Sequence, residues 1–304
     1  MKKISIIIIS YNRPDDTLDL LQDIAALNNK ELLSNVIILN NASTENYLPV
    51  IAFVNSNTNI PFQFIDAPGN LGVSAGRNYA TNFATGEILF YIDDDVNLKD
   101  PDSLQKIAIA FSVEKINERK LGIVSFKVLY SYNMQMQQTA LPHKQFNKYK
   151  DQHQFLTYYY AGCAHAKLRQ AWIDTGPYPE NFFYGMEEYD FSYRLLNKGY
   201  CIQYQDSLVV LHKESPLGRK TKAEKLRMMW VNKSKVAWRY LPKKYFYSTA
   251  FMWSLQYLSK SGMNLKHFIK GIKQILQIKS LEKRNLLSNA TLNYLDKVDA
   301  RLWY

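Results

Sequence analysis

Three consecutive aspartates, Asp93, Asp94 and Asp95, follow the apolar run EILFYI at residues 87–92. Carboxylates held close together raise one another's pKa values, so a cation that shares the site stabilises them. Carboxylate oxygens are also the ligands that Mg²⁺ and Mn²⁺ prefer. For a lone triplet, an acidic loop in solvent would be the favoured interpretation. Because the preceding run is typical of a buried strand, we predict a divalent metal site at this strand end.

A second acidic group opens the segment GMEEYDFSYRLLNKG at residues 185–199. Acidic side chains complement the dipole at a helix N-terminus, and that effect would account for one of them. Here three acids, Glu187, Glu188 and Asp190, follow the aromatic stretch NFFY. Aromatic rings suit contacts with sugars, so the pattern indicates a general base beside a sugar-binding surface.

A single histidine, His212, ends the apolar segment LVVLH. A lone histidine after a strand is more often structural than a ligand. This one occupies the same kind of strand-end position as the aspartates. A neutral imidazole is a suitable third ligand for an aspartate-bound metal.

The glycine-bearing segment GNLGVSAGRN (residues 69–78) leads into a predicted helix. Its glycines permit close backbone approach, and Arg77 offers a charged fork to a phosphate or carboxylate. It lacks the Gly-Lys-Ser/Thr ending of a phosphate-binding P-loop and the spacing of a dinucleotide fingerprint. Alone it is equally consistent with a plain turn.

Strands and helices must bring these candidate residues together. The apolar runs ISIIIIS (4–10), NVIILN (35–40), FQFIDA (62–67) and EILFYI alternate with helical patterns. Alternating strands and helices predict an α/β fold whose sheet is mostly parallel at its start. Ligands of such sheets bind at the carboxyl ends of the strands. The polar residues that follow the four runs therefore predict one shared site.

Charge is divided unevenly along the 304-residue chain, whose formal net charge is +11. Residues 1–212 carry −4 and residues 213–304 carry +15. The acidic front argues against a nucleic-acid partner, whereas the basic, helical end suits an anionic membrane surface. No apolar run is long enough to span a bilayer, and the N-terminus does not read as a signal peptide. We expect a cytoplasmic protein that contacts the membrane peripherally, or one that forms a homo-oligomer through its C-terminal helices.

The ordered segments SIIIISYNRP, ILNNAST, GNLGVSAGRN, YIDDDV, GMEEYDFSYRLLNKGY and LHKES resemble family 2 glycosyltransferases with the GT-A fold. The resemblance covers residues 1–220. It implies a GT-A catalytic domain, with a Rossmann-like mixed sheet flanked by helices. A nucleotide-sugar half would lie at about residues 1–100 and an acceptor half at about 101–220. Residues 221–304 would form a basic helical extension.

The resemblance also implies roles by position. Asp95, Asp93 and His212 would hold Mn²⁺ or Mg²⁺, with Glu188 as the catalytic base. Glu187 and Asp190 would bind the acceptor. Asn40 stands where the family usually has an aspartate that reads the uracil edge, so the base preference stays open although a UDP-sugar is favoured. The donor-binding residues would be Ser10, Tyr11, Asn12, Arg13, Asn40, Asn70, Gly72, Arg77, Asp93, Asp94, Gly162 and Cys163.

The resemblance thus predicts an inverting glycosyltransferase that acts on a glycan or lipid-linked acceptor in cell-envelope or capsule polysaccharide synthesis. Two alternatives remain open. A sugar nucleotidyltransferase also uses a carboxylate-bound metal, but it would need a basic phosphate loop after the first strand. A degenerate, non-catalytic glycan-binding scaffold is favoured only by Asn40.

Overall fold

A computed structural model describes residues 1–215, 217 and 220–303. The strands are β1 (Ile4–Ser10), β2 (Leu33–Asn40), β3 (Phe62–Asp66), β4 (Ile88–Asp93), β5 (Val96–Asn97), β6 (Lys115–Ile116), β7 (Arg119–Tyr130), β8 (Gln154–Thr157), β9 (Ala164–Leu168) and β10 (Tyr200–His212). The helices are α1 (Pro14–Ala26), α2 (Leu48–Ser56), α3 (Gly72–Thr81), α4 (Ser103–Ala110), α5 (Phe146–Tyr149), α6 (Arg169–Thr175), α7 (Glu187–Asn197), α8 (Lys222–Tyr240), α9 (Lys243–Lys260), α10 (Leu265–Leu281) and α11 (Asn289–Lys297).

The strands form one mixed sheet in the order β3-β2-β1-β4-β9-β7-β10-β5, with β6 paired to β7 and β8 paired to β10. Strands β1 to β4 are parallel where they pair with one another, and β9 runs antiparallel to β4 and β7. Helices pack on both faces, because α1 shares a core cluster with Ile4, Ile6 and Ile8 whereas α3 shares another with Ile7. The predicted mixed α/β sheet flanked by helices is confirmed.

The register of the parallel strands gathers their polar ends. Ser10 pairs with Asn40, Asn40 pairs with Asp66, and Ile9 pairs with Asp93. Four strands therefore finish at the same edge, as the alternating pattern predicts. β1, β2 and β4 are buried along most of their length, as expected for strands covered by helices on both faces, whereas β3 at the edge of the sheet is partly exposed.

Two segments outside the parallel strands have their own local structure. Helix α4 ends at Ala110, and Asn117 and Glu118, both with φ in the left-handed region, form the turn of a hairpin between residues 115–116 and β7. The polar segment 131–155 carries α5 and the first residues of β8. It also buries Gln137.

The C-terminal helices pack against the rest of the molecule. Thr221 caps α8 by accepting a hydrogen bond from the backbone N–H of Glu224. The fully buried Trp230 of α8 belongs to the same core cluster as the central strands. A side chain at Gly271 would meet the Trp230 ring at 2.6 Å, so the glycine allows α10 to approach α8 closely. The hydrophobic core therefore continues across residue 220.

The apolar face of α10 is wider than its contact with the core. Ile275 is buried as the periodicity indicates, but Leu265, Ile269 and Leu276 are more than half exposed. The core covers only a narrow stripe of the helix, which also includes Ile278. Among the described residues, no helix combines the length and apolar character needed to cross a bilayer.

Candidate active site

A cavity of about 310 Å³ opens at the carboxyl ends of the parallel strands, and we call it the strand-end cavity. It brings together nine of the predicted site residues, namely Tyr11, Arg13, Asn70, Gly72, Arg77, Asp93, Asp94, Asp95 and His212. The other lining residues include Ile9, Asn41, Phe183, Tyr184, Glu214 and Lys220.

Asp93, Asp95 and His212 form a candidate metal centre in this cavity. One ligand atom from each lies within 4.8 Å of the others. The short strand β5 pairs antiparallel with β10, which sets His212 opposite Val96, the residue after Asp95. Two carboxylates and one imidazole are a donor set that fits Mn²⁺ or Mg²⁺. The three residues predicted to hold a metal are thus close enough to do so.

His212 is held in one orientation by residues from another part of the chain. Its Nδ1 lies 2.8 Å from Oε1 of Gln137, and Nε2 of Gln137 donates to Glu214 over 2.7 Å. Since the carboxylate accepts, the amide presents its oxygen to the ring, and Nδ1 of His212 carries a hydrogen. The other ring nitrogen, Nε2, lies 3.3 Å from Oδ1 of Asp95. It therefore faces the candidate metal centre.

Asp94 is bound to a different partner. Its Oδ1 accepts from Nη1 of Arg13 at 2.8 Å, and the same nitrogen lies 3.1 Å from Asp95. Burial raises the pKa of Asp94 to about 7, although Arg13 acts in the opposite direction. The Nε of Arg13 donates to the carbonyl of Leu217 over 2.8 Å. Arg13 therefore holds the chain that follows β10 against the aspartates.

Arg77 joins the aspartates to α7. Its buried guanidinium lies 3.2 Å from Asp93 and 2.9 Å from Glu187, and it also donates to the carbonyl of Gly162. Arg77 lines the cavity as predicted, but these three groups engage its two terminal nitrogens. Arg77 is thus placed to orient the Asp93 carboxylate. Its direct contact with a nucleotide stays a prediction.

Gly72 allows the backbone to approach Phe183 closely. Its φ of +72° is in the left-handed region, and a side chain there would meet the Phe183 carbonyl oxygen at 2.6 Å. The neighbouring Val73 N–H donates to that same oxygen over 2.9 Å. The glycine thereby lets α3 form one wall of the cavity.

Five predicted donor residues do not line the strand-end cavity. Gly162 and Cys163 line a second cavity, described below, and the other three are Ser10, Asn12 and Asn40. Ser10 is fully buried and bonded to Thr17 and Tyr47. Asn12 accepts hydrogen bonds from the backbone of residues 44–45. Both side chains stabilise the loops behind the cavity, so the expectation that they contact the donor directly is not supported by their positions.

The third is Asn40, which occupies the family's aspartate position. Its Nδ2 donates to Asp66 over 2.8 Å and its Oδ1 accepts from the Ser43 N–H. The neighbouring Asn41 lines the cavity instead and accepts from the Leu71 N–H. The motif ILNN led us to predict Asn40 as the donor-binding residue, but Asn41 is the asparagine that lines the cavity.

A second cavity, of about 500 Å³, contains Glu188, and we call it the aromatic cavity. Gly162 and Cys163, predicted to contact the donor sugar, line it. The Asp93 N–H donates to the Cys163 carbonyl over 2.9 Å, so the two cavities are adjacent. The remaining lining includes Gln137, Lys144, Tyr159, Tyr160, Tyr189, Tyr193, Lys233, Trp253, Gln256, Lys260, Arg301 and Trp303.

Glu188 is the carboxylate that faces this cavity. Burial, followed by the neighbouring Glu187, raises its pKa to about 8. A general base with a raised pKa is well matched to proton transfer near neutral pH. Glu187 is instead buried and paired with Arg77, so it supports the site from behind.

Asp190 lies outside both cavities and is part of a buried ionic network. Its Oδ1 accepts from Arg194 at 2.9 Å, and its Oδ2 accepts from Arg239 at 2.6 Å and from Tyr240 at 2.9 Å. Asp190 is buried and bonded within the protein, whereas its predicted contact with the acceptor stays a prediction. Oδ1 is bonded within α7, whereas Oδ2 holds α8 against α7.

Sequence reasoning missed Gln137 and the C-terminal wall of the aromatic cavity. Gln137 stands in a polar stretch without periodicity, and no local signal marks it. The wall is supplied by α8, α9 and the chain after α11. The periodicity of α8 places Trp230 in the core, but it does not indicate that Lys233 faces a cavity beside Glu188.

Comparison with known proteins agrees with this geometry. The model of the family described as Glycosyl transferase family 2 matches residues 5–171, from β1 into α6. This chain belongs to glycosyl transferase family 2. The matched part contains the aspartate triplet and Arg77, whereas Glu188 and His212 lie beyond it.

Two relatives match part of the chain in sequence. An uncharacterized protein of Haemophilus influenzae is 29% identical over 178 residues, which are 58% of this chain and 92% of that protein. The uncharacterized glycosyltransferase YwdF of Bacillus subtilis is 30% identical over 125 residues, which are 41% of this chain. The matched part spans only 44% of YwdF's own length.

Solved structures share the fold. The mannosyltransferase PcManGT of Pyrobaculum calidifontis, in complex with GDP-Man and Mn²⁺, is 14% identical with a TM-score of 0.59. The alignment covers 97% of this chain and 79% of that one. TarS residues 1–349 of S. aureus, in complex with UDP-GlcNAc, is 16% identical with a TM-score of 0.60, covering 91% and 81%. At such identities the likeness concerns the GT-A fold.

Proposed function

We propose that this glycosyltransferase is an inverting, metal-dependent enzyme that transfers a sugar from a nucleotide-sugar, with a UDP-sugar favoured. The acceptor is a hydroxyl of a glycan or lipid-linked molecule of cell-envelope or capsule synthesis. The observation that carries the proposal is the adjacency of the two cavities. One holds the Asp93, Asp95 and His212 cluster, and the other holds Glu188.

The donor diphosphate binds in the strand-end cavity. Mn²⁺ or Mg²⁺ held by Asp93, Asp95 and His212 would stabilise the charge of the leaving diphosphate. Two structures with the same fold contain GDP-Man with Mn²⁺ and UDP-GlcNAc. Tyr11 and Phe183 offer aromatic faces to the nucleotide base, and Arg13 keeps the chain after β10 close to the aspartates.

The acceptor hydroxyl binds beside Glu188. Glu188 takes the proton of that hydroxyl as its oxygen forms a bond to C1 of the donor sugar. The bond from C1 to the diphosphate oxygen breaks at the same time, and the nucleoside diphosphate leaves with the electron pair. Attack from the face opposite the leaving group inverts the configuration at C1. Arg77, bonded to both Asp93 and Glu187, keeps the two sides of the site aligned.

A screen of UDP-, GDP- and dTDP-sugars with Mn²⁺ tests this function. We expect slow release of the nucleoside diphosphate from at least one donor, because water can replace the acceptor. Release of pyrophosphate from a nucleoside triphosphate and a sugar phosphate would instead establish the nucleotidyltransferase alternative. Nucleotide binding that does not respond to Mn²⁺, without turnover, would establish a non-catalytic scaffold.

We also propose that α9 and α10 rest on an anionic membrane surface. Phe251, Leu255, Leu265, Ile269 and Leu276 expose about half or more of their surface on these helices. Lysines on the same two helices supply the charge that attracts acidic headgroups. Lipid-linked acceptors would reach the aromatic cavity from such a surface.

Flotation with vesicles tests the membrane contact. We expect recovery with phosphatidylglycerol-containing vesicles and reduced recovery for the double variant Phe251→Glu, Ile269→Glu. Equal, negligible recovery with anionic and neutral vesicles would contradict the contact. A dimer in sedimentation that the same variant dissociates would show that these helices bind a second subunit instead.

A further inference from the structure

The aromatic cavity carries an excess of positive charge. Lys144, Lys233, Lys260 and Arg301 line it, whereas Glu188 is the one carboxylate among its described lining residues. Like charges that converge on a partly enclosed space repel one another, and an anion relieves that repulsion. A neutral glycan in the cavity would not relieve this repulsion.

Two of the lysines lie over one aromatic platform. The rings of Tyr159 and Tyr189 stack with centroids 4.6 Å apart and planes 17° apart. The Nζ of Lys233 lies 3.4 Å from the Tyr189 centroid, and the Nζ of Lys144 lies 5.2 Å from the Tyr159 centroid. Tyr189 follows Glu188 directly in the chain. The ammonium groups are therefore concentrated beside the proposed base.

Glu188 can balance at most one of these cations. Burial, followed by Lys144, lowers the pKa of Lys233 to about 7, whereas Glu188 acts in the opposite direction. Asp299, which lines a neighbouring cleft with Lys144, is bonded to Lys148 and Tyr149. Among the described lining residues, three lysines thus share the cavity with a single carboxylate, that of Glu188.

We infer that the acceptor carries an anionic group, a phosphate or a carboxylate, next to the hydroxyl that receives the sugar. The inference rests on the proposed function, because it assigns the acceptor to the cavity of Glu188. The hydroxyl lies at Glu188, the anion lies among Lys144, Lys233 and Lys260, and the carbon skeleton packs on the tyrosines. The aromatic cavity is thereby specific for an anionic sugar or polyol.

Binding can be measured separately from catalysis. Trp253 and Trp303 line the cavity, so tryptophan fluorescence reports its occupancy. The protein is first saturated with UDP and Mg²⁺, which fills the strand-end cavity. It is then titrated with four small probes: sn-glycerol 3-phosphate, glycerol, glucuronate and glucose. We expect a saturable response to an anionic probe and a response at least roughly tenfold weaker to its neutral counterpart. The phosphate and carboxylate arms distinguish the two anions.

Variants identify the lysines responsible. Lys144 and Lys260 are exposed, so the double variant Lys144→Gln, Lys260→Gln should fold and lose most of the anion response. Lys270→Gln, at an exposed position of α10 outside the cavity, is the control and should keep it. Equal responses to charged and neutral probes, or an anion response that the double variant retains, would overturn the inference. Failure of the proposed function is separate, because it appears as the absence of donor turnover by the wild-type protein.

Discussion

Nδ1 of His212 donates a hydrogen bond to Oε1 of Gln137 over 2.8 Å. Glu214 fixes the amide from its other side, so the imidazole has one orientation, with Nε2 towards Asp95. Partners of this kind tune metal ligands because they set both the ring position and the basicity of the free nitrogen. Gln137 is thus a positioning residue for the candidate metal centre.

Replacing Gln137 should weaken metal binding, although Asp93, Asp95 and His212 are all still present in the variant. For Gln137→Met we expect the Mn²⁺ concentration for half-maximal donor hydrolysis to rise roughly 10- to 100-fold. Gln138→Met, at the exposed neighbouring position, is the control. An unchanged metal requirement in Gln137→Met would remove Gln137 from this role.

The aspartates of the triplet should behave differently from one another. Asp95→Asn should lose Mn²⁺-linked binding of UDP, measured by calorimetry, because the variant lacks a carboxylate that faces His212. Asp94→Asn should keep the metal-linked component, because Asp94 is bound to Arg13. Thermal unfolding confirms that both variants are folded. Loss of metal linkage in Asp94→Asn but not in Asp95→Asn would reverse the assignment.

Glu188 should control transfer and its pH dependence. A base acts when deprotonated, so transfer should fall as the pH drops below its raised pKa of about 8. Glu188→Gln should retain donor binding and transfer the sugar roughly 10²- to 10⁴-fold more slowly. Its remaining transfer rate should not fall as the pH drops below about 8. Transfer by Glu188→Gln at the wild-type rate would exclude Glu188 as the base.

Asp190 should matter for stability. Removing its charge deprives Arg194 of its carboxylate partner and leaves Arg239 with Glu282 alone, and breaking a buried pair of this kind costs about 3–5 kcal/mol. Urea unfolding of Asp190→Asn should show a loss of this order, whereas Asp151→Asn, at an exposed position, should unfold like the wild type. A stable Asp190→Asn with a raised KM for the acceptor would support the acceptor role.

The sheet and the strand-end cavity could be predicted because they depend on local pattern. Apolar runs mark the strands, and parallel pairing then requires residues such as Asn40, Asp66 and Asp93 to meet at one edge. The alternation of side chains along an extended backbone predicts that Asp93 and Asp95 face one side and Asp94 the other. Asp93 and Asp95 do lie together beside His212. Asp94 and Asp95, however, belong to the turn between β4 and β5, and Arg13 contacts both, so the turn and not an extended strand sets their directions.

The partners within the site could not be predicted in the same way. Arg77 was expected to meet the nucleotide, yet it bridges Asp93 and Glu187 across residues far apart in sequence. Asp190 and Glu188 occur in the same acidic cluster, but their positions on α7 direct them to different surroundings. Whether a side chain faces a cavity or a buried arginine depends on how α8 packs on α7, which the pattern of one helix does not specify.

Metal reversal of donor turnover tests the central claim most directly. The wild-type protein is incubated with the active nucleotide-sugar and Mn²⁺, then with excess EDTA, and then with Mn²⁺ in excess of the chelator. We predict release of the nucleoside diphosphate, its arrest by EDTA and its recovery with Mn²⁺. Release that continues unchanged in EDTA would contradict the role of Asp93, Asp95 and His212 as a metal centre.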